Sequence, residues 1–108
     1  MYPTSSQSLN MVLGQIITND VLDKRILTAL NMVKREDFLP DHLKSCAYVD
    51  EELDMGNGRF LLEPLTFARM LQLAEITPAC RVLCVGVLSG YAAAVLAWLA
   101  SHIVATDI

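Results

Sequence analysis

A glycine-bearing turn, Gly86-Val87-Leu88-Ser89-Gly90, and an isolated acid, Asp107, are the residues of this 108-residue chain whose types and spacing best suit chemistry. The turn follows an apolar run, Arg81-Val82-Leu83-Cys84-Val85, and precedes residues 91–100 (YAAAVLAWLA), a strong helix former without a polar face. His102 then opens a β-branched run, Ile103-Val104-Ala105-Thr106, which ends on Asp107. Strand, glycine turn, helix, strand and acid make one βαβ unit of about 27 residues, close to the size such units need. In that setting the turn lets backbone approach a ligand closely and aims helix N–H groups at an anion. Ser89 is placed to cap the helix, and an acid ending the next strand can hold both hydroxyls of a ribose. Gly86, Ser89, Gly90 and Asp107 therefore outline a nucleoside-cofactor site. The plain reading stands beside it, because glycine turns are common in βαβ units and Asp107 can simply cap a strand.

The elements that must position these residues are legible in the hydrophobic periodicity. Leu9, Val12, Leu13, Ile16 and Ile17 fall on one helical face, and Asn19-Asp20 ends that segment. Asp23 is a plausible N-cap for a second helix that buries Ile26, Leu27, Leu30 and Val33. A charged knot, Lys34-Arg35-Glu36-Asp37, leads into Phe38-Leu39-Pro40, where proline argues for an extended exit. From Tyr48 to Glu63 the chain is acidic and then glycine-bearing, which reads as short extended pieces joined by turns. Pro64 suits the first turn of a helix with Phe67, Ala68, Leu71 and Ala74 on one face, and Thr77-Pro78 breaks it. The strand from Arg81 lacks alternation, which predicts burial on both faces.

Composition narrows the classes. Eight Lys+Arg against twelve Asp+Glu give a net charge of -4, without the clustered cations that nucleic acid or an anionic membrane surface requires. All the basic residues lie at or before Arg81, and residues 82–106 carry no Asp, Glu, Lys or Arg. Residues 82–100 are long enough to nominate a membrane span. Gly86 and the Ser89-Gly90 pair interrupt its middle, Arg81 is the only flanking cation, and the βαβ reading is preferred. Cys46, Cys80 and Cys84 form no CxxC pair and have no nearby partner for a metal site, so reduced thiols in a cytoplasmic protein are expected. The polar start, residues 1–10, shows neither the basic nor the apolar region of a secretory signal.

Beyond the cofactor turn, several segments carry a resemblance. Asn10-Met11-Val12, Gln15-Ile16, Asp23, Arg25-Ile26-Leu27 and Ala29 resemble the N-terminal helices of the protein-L-isoaspartate O-methyltransferase family. Lys34-Arg35-Glu36-Asp37-Phe38-Leu39-Pro40 is similar to a family segment that usually reads Pro-Arg-Glu-x-Phe-x-Pro. Ala47-Tyr48, Asp50, Leu53, Gly56, Gly58 and Pro64 follow in the family's order. Arg81-Val82-Leu83-x-Val85-Gly86-x-x-Ser89-Gly90-Tyr91, with Ala93-Ala94-Val95-Leu96-Ala97 after it, resembles its cofactor motif. The likeness runs from about residue 10 to residue 107. It implies methyl transfer from S-adenosylmethionine to the carboxylate of isoaspartyl residues in damaged proteins, whose ester collapses to a succinimide that can reopen as aspartate. A sulfonium is already an activated methyl donor, so in-line positioning and water exclusion supply most of the effect.

Three departures from the family pattern bear on activity. Leu62 occupies the position of the family's active-site serine, so no catalytic residue is carried over. A bacterial branch is similar here, with Arg, an aromatic, Leu and Glu-Pro, and Gly58-Arg59 then form a substrate loop in which Arg59 pairs with the substrate carboxylate. An exposed loop arginine is the plain alternative. In the cofactor turn, Cys84 replaces an acid that would face the methionyl ammonium, and Leu88 replaces a central glycine. If that position needs φ > 0, the leucine is strained. Lastly, the family fold has a seven-stranded sheet and this chain stops after the second strand.

The expectation is an α/β, Rossmann-like methyltransferase fold truncated after its second strand. It divides into a helical layer (1–45), a loop and helix (46–78) and the first βαβ unit (79–108). A chain of this kind is expected to bind S-adenosylmethionine weakly, to hold no metal, and to be inactive by itself on isoaspartyl substrates. The alternatives are a non-catalytic interaction module that pairs through exposed strand edges, with a second copy or a separate C-terminal half, and a membrane-anchored segment at 82–100.

Overall fold

In the computed structural model, residues 6–107 are described; residues 1–5, the start of the polar segment read against a secretory signal, and residue 108 lie outside them. The chain opens with helix α1 (Ser6–Met11), which widens into a π turn (Val12–Ile16) and tightens into a 3-10 turn (Ile17–Asn19). Its buried face is Ser8, Met11, Val12 and Ile16, whereas Leu9 and Leu13 are exposed, contrary to the periodicity. The stripe is rotated toward Ser8 because the Ser8 hydroxyl donates into the Asn31 carbonyl, 2.9 Å away, and that buried bond fixes which side meets the next helix.

Asp23 caps α2 (Lys24–Met32), accepting from the Arg25 N–H at 2.9 Å, as its position before an apolar stripe predicts. Ile26, Leu30 and Val33 are buried and Leu27 half-buried. Leu39 is extended before Pro40, between two 3-10 turns, Arg35–Phe38 and Asp41–Cys46. The acidic and glycine-bearing middle is a hairpin of β1 (Leu53–Gly56) and β2 (Arg59–Leu61), antiparallel with Leu53 opposite Leu61. Asn57 and Gly58 turn it with φ of 56° and 73°, the two positive angles of a type I′ turn.

Pro64 opens α3 (Pro64–Ala74), and the Asp50 carboxylate accepts from the Leu65 N–H at 3.2 Å to satisfy that helix start. Ala68 and Leu71 are buried as expected, but Ala74 is exposed, because Glu75 takes a left-handed conformation that ends the helix there. Arg25 then ties the layers together: its guanidinium donates to the carbonyls of Ile76 at 2.8 Å and Leu99 at 2.5 Å.

The final segment forms β3 (Arg81–Val85), α4 (Tyr91–Leu96) and β4 (His102–Thr106), with β3 and β4 parallel and Val85 beside Thr106. Residues 82–100 are thus strand, turn and helix, and among the described residues no helix is long and apolar enough to cross a membrane. The helix is shorter than residues 91–100; past Leu96 the bonds tighten to Trp98 N–H with Val95 and Leu99 N–H with Leu96, which brings Leu99 and Ala100 into the core. Burial of β3 on both faces does not hold. Val82 and Cys84 are half-buried, while Leu83 and Val85 are 63% and 74% exposed. A pleated strand turns alternate residues to opposite sides, and the packed layer covers one side only. One apolar core, with Ile16, Val21, Ala29, Leu30, Ala68 and Val95 fully buried, joins the helical layer, the hairpin and the βαβ unit.

Candidate functional site

The site begins where β3 ends. The Gly86 and Val87 N–H groups both donate to the Thr106 carbonyl, at 2.9 and 3.1 Å, which closes the strand pair and turns the chain away from the sheet. Gly90 N–H returns to the Val87 carbonyl at 2.9 Å. Gly86 and Gly90 have φ of 72° and 96°, and between them Leu88 has φ of 55°. The condition set by the sequence is therefore met: a leucine occupies a left-handed position that glycine fills without penalty. Gly90, not Ser89, stands at the cap of α4, no side chain caps that helix, and Ser89 is exposed. The reason is backbone: the left-handed Gly90 occupies the position from which a capping side chain would have to act.

Asp107 and Arg59, read from the sequence as a ribose acceptor and a substrate clamp, meet each other. The two guanidinium nitrogens of Arg59 donate to the two Asp107 oxygens, one bond being 3.0 Å, and both side chains are about one-third exposed. The hydrogen bonds Arg59 donates to Asp107, and the charge of that carboxylate, raise the Arg59 pKa above the ordinary guanidinium value. Asp107 also lies 3.4 Å from the Leu88 N–H, so it braces the turn. Gly58, at the hairpin tip, is what delivers Arg59 to the strand end. The four proposed cofactor residues and the loop pair are thus brought to one end of the sheet, the carboxyl end, where open α/β sheets bind ligands.

Beside the turn lies a cavity of about 240 Å³, lined by Arg35, Phe60, Leu61, Leu62, Phe67, Met70, residues 84–88, Tyr91 and Ala92. Arg35 is wholly buried, its guanidinium stacked 4.8 Å from the Tyr91 ring centre and donating to the Leu62 carbonyl at 2.7 Å. Phe38 and Phe67 pack on the same ring, each with centroids 5.8 Å away. Burial pushes the Tyr91 hydroxyl above its usual pKa, against the pull of the nearby Arg35 charge. Cys84 and Leu62 both line this cavity and bring it neither a carboxylate nor a hydroxyl. Among the described residues no cluster of metal-ligating side chains occurs.

A sequence model of the protein-L-isoaspartate(D-aspartate) O-methyltransferase (PCMT) family matches residues 7–106. The chain belongs to that family. It is 42% identical over 99 residues to a protein-L-isoaspartate O-methyltransferase 2 of Shewanella sediminis, a match spanning 92% of this chain and 41% of that protein. It is 38% identical over 106 residues to a protein-L-isoaspartate O-methyltransferase of Picosynechococcus, covering 98% of this chain and 48% of the relative. A Plasmodium falciparum structure, described as a member of this family in complex with S-adenosyl-L-homocysteine, superposes with a TM-score of 0.72 at 17% identity. That match covers 89% of this chain and 47% of the other, and establishes the Rossmann-like methyltransferase fold. The chain spans less than half the length of these relatives.

Within this isoaspartyl methyltransferase fold, sequence reasoning missed Arg35 and Tyr91 as site residues. Arg35 sits in a run of four charged residues, Lys34-Arg35-Glu36-Asp37, and only the family-like Arg-Glu-x-Phe-x-Pro pattern around it sets it apart from a solvated side chain. Tyr91 reads as the first residue of an apolar helix. The residues present suit an S-adenosyl group only in part. The turn and Asp107 provide the backbone and the acid, but the cavity is smaller than the roughly 300–1,000 Å³ usual for such ligands.

Proposed function

We propose that this chain is the cofactor-turn portion of a cytoplasmic S-adenosylmethionine-dependent methyltransferase acting on isoaspartyl carboxylates, and that these 108 residues by themselves do not turn over. The observation that carries the reading is the glycine turn and Asp107 at the carboxyl ends of parallel β3 and β4, in a chain whose residues 7–106 match the family. S-adenosylmethionine supplies an activated methyl group. The chain's contribution is placement: Gly86 and Gly90 keep backbone close to the ligand, and Asp107 offers a ribose acceptor once Arg59 releases it. Ser89, exposed beside them, is available to the same ligand. Arg59, released in turn, is the residue to meet the substrate carboxylate from the Gly58 hairpin tip.

Absence of turnover is supported by Leu88 in the cavity wall, by Leu62 at the serine position, and by the mutual engagement of Arg59 and Asp107. Calorimetric titration with S-adenosylhomocysteine, beside a radiolabelled methyl-transfer assay on an isoaspartyl peptide, tests both parts. Weak binding without turnover is expected. Turnover above blank overturns the inactivity, and the absence of any binding overturns the cofactor reading.

A second reading rests on the bare side of the strand pair, where Leu83, Val85 and Val104 are 63%, 74% and 51% exposed. An interaction module would cover this face and pair the free strand edges, either with a second copy or with a chain like the remainder of the longer relatives. Light scattering tests it: a monodisperse monomer, unchanged on adding such a chain, removes this reading.

A further inference from the structure

The tip of the β1–β2 hairpin carries a reactive pair. Asn57 is the one asparagine of the chain followed by glycine. Both residues are exposed, and a Cβ placed on Gly58 would meet nothing within 4 Å. Among the described residues neither the Asn57 carboxamide nor the Gly58 N–H forms a hydrogen bond. The other asparagines are restrained. Asn10 lies within α1, the Asn19 carboxamide donates to the Gln15 carbonyl at 2.7 Å, and the Asn31 carboxamide accepts from the Ser8 hydroxyl at 3.1 Å. They precede Met11, Asp20 and Met32, whose side chains shield their own N–H groups as glycine does not.

We propose that Asn57-Gly58 is a spontaneous modification site, whose conversion to an isoaspartyl residue detaches Arg59 from Asp107 and the glycine turn. The Gly58 nitrogen gives its proton to solvent and attacks the Asn57 Cγ. A C–N bond closes a succinimide ring, and the Cγ–Nδ2 bond breaks as that nitrogen takes a proton from water and leaves as ammonia. Water then adds to one imide carbonyl. Opening at the main-chain carbon leaves the isoaspartyl form, and opening at Cγ leaves aspartate. The product is the class of group on which the proposed function acts, but its formation needs only water. Attack requires the tip to leave its turn, and the hairpin permits this. Its strands have four and three residues with an irregularity between Asp54 and Gly56, and two strands alone are marginal in water. Leu53 and Leu61 keep its base in the core while the tip opens.

The same turn positions Arg59. It sets Arg59 opposite Gly56 and directs the guanidinium to Asp107, with Nη2 3.7 Å from where a Cβ on Gly86 would stand. An isoaspartyl residue adds a methylene to the main chain, which a two-residue turn does not accommodate.

The folded chain is aged at mildly alkaline pH, which favours the deprotonated amide, and mapped by mass spectrometry. The peptide spanning Asn57 is expected to gain about one dalton, through a species lighter by one ammonia, while those with Asn10, Asn19 and Asn31 stay unshifted. A protease that cuts before aspartate divides the products, since it leaves the isoaspartyl form intact. Conversion of Asn57 no faster than that of Asn19 overturns the site. Asn57→Gly keeps a pair that type I′ turns accept and should lose the shift. A shift persisting in that peptide overturns the assignment, and the mapping of the unaltered chain stands even if the variant does not fold. Release of Arg59 is read by nuclear Overhauser contacts between its side chain and Gly86, expected to vanish in the isoaspartyl fraction. Asn57→Asp, which has the charge without the methylene, is expected to keep them. Contacts retained in the isoaspartyl fraction overturn the release, and equal loss in Asn57→Asp overturns the methylene as its cause.

Discussion

Replacing Leu88 isolates the conformational cost built into the cofactor turn. At φ of 55° its side chain crowds the following carbonyl, a penalty of about 1–2 kcal/mol for a residue other than glycine. Leu88→Gly relieves that penalty but gives the unfolded chain more freedom, which costs about 0.5–1 kcal/mol. It also removes a half-buried leucine, where full burial would contribute about 1.5–3 kcal/mol, so about 1 kcal/mol is lost. The net change for glycine is small, between roughly 0.5 kcal/mol stabilising and 1 kcal/mol destabilising. Leu88→Ala is the decisive comparison, because it loses nearly the same packing and keeps a Cβ in the left-handed region. Glycine should therefore equal or exceed alanine in stability by up to about 1 kcal/mol, a difference of about 4–8 °C in Tm for a domain near this size. Urea and thermal unfolding of the three proteins measure it. If alanine proves the more stable by about 0.5–1 kcal/mol, the order expected at an ordinary φ, the strain argument is wrong. Because Leu88 also lines the cavity, both variants should bind S-adenosylhomocysteine more tightly than the unaltered chain.

Three further outcomes follow from single groups. Tyr91, held neutral by burial above its ordinary value of 10.0, keeps its proton in the folded state when the unfolded chain has lost it. Stability should then fall as pH rises above about 10, and Tyr91→Phe should flatten that fall in urea titrations between pH 8 and 11. Asp23→Ala removes the cap of α2 and should lower stability by about 1 kcal/mol, seen as a Tm drop of about 4–8 °C. The Thr77 hydroxyl and N–H, 3.4 and 3.3 Å from the Cys80 sulfur, lower its thiol pKa. Its alkylation rate, followed by mass spectrometry against pH, should rise at lower pH than that of the same cysteine in the urea-unfolded chain.

The sequence by itself determined the order of elements, the cap at Asp23, the proline start of α3, the glycine turn and the parallel strands that flank it. These features are local: each depends on a periodicity, a cap or a turn residue within a few positions. It also carried the family, because segments spread from residue 10 to residue 107 had to keep their order together. Tertiary structure decided the rest. Ser8 became a buried anchor because Asn31 came to lie against it, and that turned α1 so that Leu9 and Leu13 faced out. Arg59 and Asp107, each given its own ligand when read in the sequence, closed on one another because a hairpin tip and a strand end happen to meet. Arg35 shows the limit most plainly. Its neighbours in the chain are charged and its neighbours in space are aromatic, so only the fold could show a fully buried cation stacked on Tyr91. Local pattern specifies which elements form; which side chains share a site is set by contacts between residues far apart in the chain.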